Sequence, residues 1–124
     1  MIVTKEYLRN NPDHIFVFGD NTVRKGCGGA AKLRYEPNVY GFITKKFPAH
    51  TDSCYYRPEE YLSMYEDEIK KLRFEIVNNR NKTFLISKIG AGLANRFGIF
   101  EQVIQGRLVK DLEDLNNVIF LEEI

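Results

Sequence analysis

Glycines bunch twice in this 124-residue chain, as GCGGAA at residues 26–31 and as GAG at residues 90–92. Backbone N–H groups without a neighbouring Cβ, at the start of a helix, form a ready site for a phosphate or a polar ribose edge. Taken singly, each stretch serves equally well as a tight turn. Two of them, each after an apolar run and before a helical one, point instead to a diphosphate held between them. Beside the first stretch stand Asp20 and Asn21. They carry groups that can hydrogen-bond a ribose or base, although an Asx turn is the commoner use of such residues at a loop start. Arg96 lies in the second stretch, IGAGLANRFG, where it suits a phosphate if it turns inward. Lys45 and Lys46, in FITKKFP, are at the end of an apolar run, a place where most lysines are merely solvated. Phe97 and Phe100 either stack on a base or cover the core, with the core as the default.

Stricter motifs do not fit. Gly26 to Ala31 match G-x-G-x-x-A literally, but Gly19 to Lys25 separate that glycine from the apolar run, whereas the dinucleotide fingerprint places it directly after the strand. No glycine precedes Lys-Ser or Lys-Thr as a phosphate P-loop requires. Cys54 has His50 four residues away, with no helical pattern to bring the two together as nucleophile and base. Cys27, Cys54, His14 and His50 match no zinc spacing, and the residues call for no metal or cofactor.

The elements that must position these groups alternate. Thr4 can cap a short helix to about Asn10, HIFVF reads as a strand covered on both faces, AAKLR as a short helix and VYGFI as a second strand. The helix from Pro58 to about Asn78 is the clearest element. It has proline in the first turn, two glutamates after it, and Leu62, Tyr65, Ile69, Leu72 and Ile76 spaced by threes and fours. TFLISKI reads as a third strand, 100–112 as a helix with Val103, Ile104 and Leu108 inward, and NVIFLEEI as a last strand. Such alternation predicts an α/β three-layer sandwich, with a largely parallel central sheet and helices on both faces. In that architecture ligands bind beyond the carboxyl ends of the strands, where both glycine stretches fall.

With no repeat or linker to divide it, residues 1–124 read as one domain. Lys+Arg total 18 against 17 Asp+Glu, a net charge of +1 that carries no footprint for nucleic acid. Two cysteines without a CxxC pair favour a reducing, cytoplasmic setting, and no stretch approaches the roughly 20 apolar residues of a membrane span.

VYGFITKKFPAHTDSCYYRPEEYLSMYEDEIKKL, TFLISKIGAGLANRFGIFEQV and NVIFLEEI together resemble the C-terminal two-thirds of a macro domain. The resemblance is closest to the branch that removes ADP-ribose from acidic side chains and to the antitoxins of DNA ADP-ribosylation systems. The opening NPDHIFVFGDNTVRKGCGGAA is more like a group of small, often phage-encoded proteins. The resemblance implies that Asn21 faces the distal ribose and that Gly28, Gly29 and Ala30 wrap that ribose and the pyrophosphate. It also implies that Gly90, Ala91, Gly92 and Leu93 form the phosphate loop, with Asn95 and Arg96 beyond it. Lys45 takes the position of the lysine that attacks the ribose anomeric carbon, which requires a neutral amine; Lys46 is one neighbour able to depress it. The family's hydrolases place an acid after Gly-x-Gly-Leu, where this chain has Ala94 and Asn95, and Asp20 is a conceivable substitute. The expected ligand is ADP-ribose or a related nucleotide, free or on protein or DNA, with hydrolysis of the linkage through Lys45. The alternatives are a non-catalytic binder or sponge of an ADP-ribose-derived signal, and an interaction protein whose loops are only turns.

Overall fold

Thr4 begins the first helix: its Oγ1 accepts the N–H of Tyr7 at 3.0 Å, satisfying a donor that a helix N-terminus leaves open. The computed structural model describes residues 1–122. In it, α1 (Lys5–Asn10) is followed by β1 (His14–Asn21), β2 (Val39–Lys45), α2 (Pro58–Val77), β3 (Thr83–Ile86), α3 (Leu108–Leu112) and β4 (Val118–Phe120). Short 3-10 turns at Gly29–Leu33 and Asp52–Cys54, and a π turn at Phe100–Ile104, fill the connections. The strands form one all-parallel sheet in the order β2-β1-β3-β4, the expected α/β architecture.

Period-two alternation sends the strand side chains to opposite faces. Val17, Phe42, Phe84 and Ile86 pack with Tyr65, Ile69, Leu72 and Ile76 of α2, together with the π turn and α3. Phe16, Phe18 and Leu85 face the other way, against Leu8 of α1 and Ala31 and Leu33 of the first 3-10 turn. Two asparagines stitch helices to strands. The Asn38 carboxamide, just before β2, donates to the carbonyls of Leu8, Asn11 and His14. Asn117, just before β4, does the same for Ile76, Asn79 and Lys82. Each closes the frayed end of a preceding helix, where carbonyls lack helical partners.

The outward backbone of the edge strand β2 is occupied by side chains. Ile43 N–H donates to Glu68 Oε1 at 2.7 Å, Ile43 C=O accepts from the Tyr61 hydroxyl at 2.6 Å, and Gly41 C=O accepts from Arg24 at 2.7 Å. A parallel edge is thereby closed to strand addition over this span.

Five readings change, the first being the third strand, which spans Thr83–Ile86 rather than all of TFLISKI. The buried stripe of α2 begins at Tyr61, while Leu62 is 47% exposed, because the Tyr61 hydroxyl is drawn to the β2 carbonyl. The helix expected over 100–112 is broken. Gln105 N–H bonds back to Phe100 C=O, a wide π-type turn, and the chain restarts at Leu108 after Gly106; Val103, Ile104 and Leu108 are nonetheless buried. The last strand is only Val118–Phe120, with residues 123 and 124 of that reading outside the described residues. β1 runs on to Asn21 and β2 to Lys45, so residues expected in loops belong to strands. Among the described residues, no helix is long and apolar enough to cross a membrane.

Leu72→Ala is expected to lower unfolding free energy by about 2–5 kcal/mol and Leu62→Ala by about 0.5 kcal/mol or less, measured by urea denaturation.

Candidate functional site

Asp20 and Asn21 end β1 and Lys45 ends β2, all three nearly buried, and what each side chain touches decides its role. The Asp20 carboxylate is fully engaged. Its Oδ1 accepts from Arg34 Nη2 at 2.6 Å and from Asn21 N–H at 2.8 Å, and its Oδ2 accepts from Arg24 Nη1 at 3.2 Å. Arg34 is itself buried, and it donates onward to the carbonyls of Gly26 at 2.7 Å and Lys25 at 3.2 Å. The ion pair therefore clamps the first glycine stretch to the end of β1. Gly41 on β2 leaves the room: a Cβ there would overlap Asp20 Oδ2. Asn21 completes the loop, with Nδ2 donating to Lys25 C=O at 2.7 Å and Oδ1 accepting from Val23 N–H at 3.1 Å. Its carboxamide thus makes the Asx-type closure foreseen as the plainer use.

Lys45 Nζ donates to Ala49 C=O at 2.9 Å and lies 4.3 Å from the centre of the Tyr55 ring. Lys46, next along the chain, points away and pairs with Glu60 of α2 at 3.0 Å. Held by Glu60 and over the Tyr56 ring, Lys46 is not positioned to act on Lys45. Cys54 and His50 are likewise apart in function. Cys54 Sγ is 3.2 Å from Thr51 Oγ1, which holds the thiol below its usual value with a smaller push from the Lys45 charge. His50 Nδ1 instead faces the Tyr55 hydroxyl at 3.3 Å.

A cavity of about 720 Å³ opens beyond the carboxyl ends of β1 and β3. The chain leaves β1 toward β2 on one side while β3 and β4 lie on the other, so this is the topological switch point of the sheet. Both glycine stretches wall the cavity, with Gly28, Gly29 and Ala30 on one side and Gly90, Gly92 and Leu93 on the other. The bare Gly28 leaves room for Leu93 of the other stretch, since a Cβ on Gly28 would lie 3.2 Å from Leu93 Cδ1. Gly29, at φ +58°, needs the left-handed region as well, so turn geometry and close approach both act in this loop.

Lys25, Lys32, Lys45 and Lys88 line the cavity beside the Asp20–Arg34 pair, Lys88 also lying 3.8 Å from the exposed Glu122; Asp20 is the one carboxylate of the lining among the described residues. Positive lining is thus concentrated here in a chain whose net charge is +1. Asp20, Asn21 and Lys45 also line the cavity, whereas Ala91, Asn95 and Arg96 do not. The Asn95 Oδ1 accepts from Phe100 N–H at 2.9 Å and its Nδ2 donates to Glu101, which starts the π turn. Arg96 bonds His50 C=O at 2.8 Å and Asp52 at 2.9 Å, and stacks 4.2 Å from the Tyr55 ring. Phe97 packs edge-on to Tyr55 beneath Arg57, and Phe100 packs against the core.

Arg34, His50, Thr44, Ser87 and Lys88 are cavity residues that no motif marked. The only available signal was Asp20 itself, a carboxylate at a strand end that needed a distant cation once buried. No group of three His, Cys, Asp or Glu side chains able to hold a metal occurs among the described residues.

Fold and site together define a small parallel α/β protein with a positively lined cleft at its sheet switch point. Residues 1–96 match the model of a family of unknown function, DUF7831, and the chain belongs to that family. The match spans both glycine stretches and ends at Arg96. No curated protein and no solved structure matches the chain.

Arg34→Met leaves Asp20 buried with the more distant Arg24 as its remaining cation, and is expected to cost about 3 kcal/mol in urea denaturation. The loop at 25–29 should then become the first site of limited proteolysis.

Proposed function

We propose that the cleft binds ADP-ribose or a related nucleotide, the diphosphate lying between the two glycine stretches, in the manner of the macro domain the sequence resembles. The observation that carries this reading is the lysine-rich lining, Lys25, Lys32, Lys45 and Lys88, of a cavity walled by both stretches and large enough for a dinucleotide-sized ligand. Backbone N–H groups of bare loops and nearby ammonium groups are complementary to a diphosphate. Lys45 serves as a phosphate-facing cation at the cavity wall, its amine held in place by the Ala49 carbonyl and the Tyr55 ring.

The binder is favoured over the hydrolase. Cleavage of an ADP-ribosyl linkage through Lys45 needs a proton donor for the leaving group. Among the described residues the one carboxylate at the cavity, Asp20, is consumed by Arg24 and Arg34, and Ala94 fills the place of the resemblance's acid. ADP-ribosylated protein or DNA remains within the ligand class, and sequestering an ADP-ribose-derived signal, as a phage-encoded protein would, is the corresponding role. A cytoplasmic setting belongs to this reading, supported by the unpaired Cys27 and Cys54.

Isothermal titration with ADP-ribose, NAD and AMP checks it: ADP-ribose should give saturable heat and be recovered unchanged after long incubation. Absence of heat with every adenine nucleotide would overturn the reading. Lys45→Ala should weaken ADP-ribose binding about tenfold or more, the loss of one charge-assisted contact.

A further inference from the structure

His50 has no place in the loop closures or in the core, yet it lines the cavity. Its position is set on three sides. The Tyr55 hydroxyl faces Nδ1 at 3.3 Å, Arg96 holds the His50 carbonyl at 2.8 Å, and the preceding carbonyl, of Ala49, holds Lys45 at 2.9 Å. The bridge between Lys45 and Tyr55 closes the segment that carries it. Tyr55 is clasped in turn between Lys45 and Arg96, at 4.3 and 4.2 Å from its ring centre. The charged or titratable groups around the imidazole are thus Lys45, Arg96 with its partner Asp52, the Tyr55 phenol and, on the same segment, the Cys54 thiol, which Thr51 holds low; Lys25, Cys27 and Lys88 lie elsewhere on the cavity wall.

Among these, only an imidazole ordinarily changes charge between pH 5 and 8. The other histidine, His14, sits at the opposite, amino end of β1, with Nδ1 2.7 Å from the Tyr7 hydroxyl. Resting on the nucleotide-binding reading, we propose that His50 meets the anionic part of the ligand and takes up a proton as it binds, making the cleft a pH-dependent receptor for a diphosphate. A dianion arriving among fixed cations favours the charged imidazole, which in turn adds one charge-assisted hydrogen bond to the ligand.

ADP-ribose is the right probe. A phosphate monoester loses its second proton near pH ~6, whereas the doubly esterified diphosphate keeps its charge from about pH 5.5 to 8.5, so a change in affinity there reports the protein. The full chain, titrated by calorimetry, should bind ADP-ribose about tenfold more tightly at pH 5.5 than at pH 8.5, the scale of one charge-assisted bond. His50→Gln should be flat across that range and His14→Gln should keep the full dependence. His50→Lys, permanently charged, should bind at both pH values as the parent does at pH 5.5. Flat affinity in the parent, or dependence that survives His50→Gln, overturns the role of His50 while leaving nucleotide binding intact. No ADP-ribose binding at either pH removes both together.

Discussion

The buried ion pair between Asp20 and Arg34 is the constraint on which the cleft depends. Asp20 closes the central strand β1, where an unpaired carboxylate would carry a heavy desolvation cost. Arg34 neutralises it from the far end of the glycine stretch and uses its remaining donors on the Gly26 and Lys25 carbonyls. One guanidinium therefore satisfies the strand end and shapes the loop. Arg24 supports the same carboxylate and reaches the Gly41 carbonyl on β2, so the pair also fixes the open edge of the sheet. The consequence for chemistry is direct: a carboxylate bound by two arginines is an anchor rather than a proton donor.

The remaining architecture repeats this economy at a larger scale. Asn38 and Asn117 each stand one residue before a strand, and each gathers three carbonyls that run from the last turn of a preceding helix to the start of the next strand. Both helices thus meet the sheet in a defined register, and the strands deliver their carboxyl ends to one side. At that side the direction of winding changes between β1 and β3, leaving the crevice that both glycine stretches border. Leu93 lies close to the bare Gly28, and the lysines of the lining give the space its charge.

Local pattern made much of the fold legible. Thr4 as a cap, the strand runs around Val17, Phe42 and Phe84, and the α2 stripe through Tyr65, Ile69, Leu72 and Ile76 all follow from short-range preference and periodicity. Errors arose where a long-range partner outweighed the pattern. Tyr61 displaced Leu62 because its hydroxyl had a strand carbonyl to meet, and the helix after Phe100 broke where Asn95 and Gly106 allowed a wider turn. For the site, the glycine stretches and Lys45 were visible from type and spacing, and they do share one cavity. Arg96 and Asn95 had the right chemistry in the right loop, but Asp52 and Glu101 offered nearer partners.

Sequence alone determined the alternating helices and strands, and hence a parallel sheet with its loops at one end, because periodicity and turn residues act over a few positions. It also set the stock of chemistry at those loops: glycine, lysine, one aspartate and no acid at Ala94. Only the tertiary structure decided which of those groups are free. Asp20 met Arg34 fourteen residues away, Asn21 turned back onto its own loop, and His50 came to the cavity wall through Tyr55 and Arg96. Burial forces a polar group to take whatever partner the fold brings near, and that choice is made across the sheet rather than along the chain.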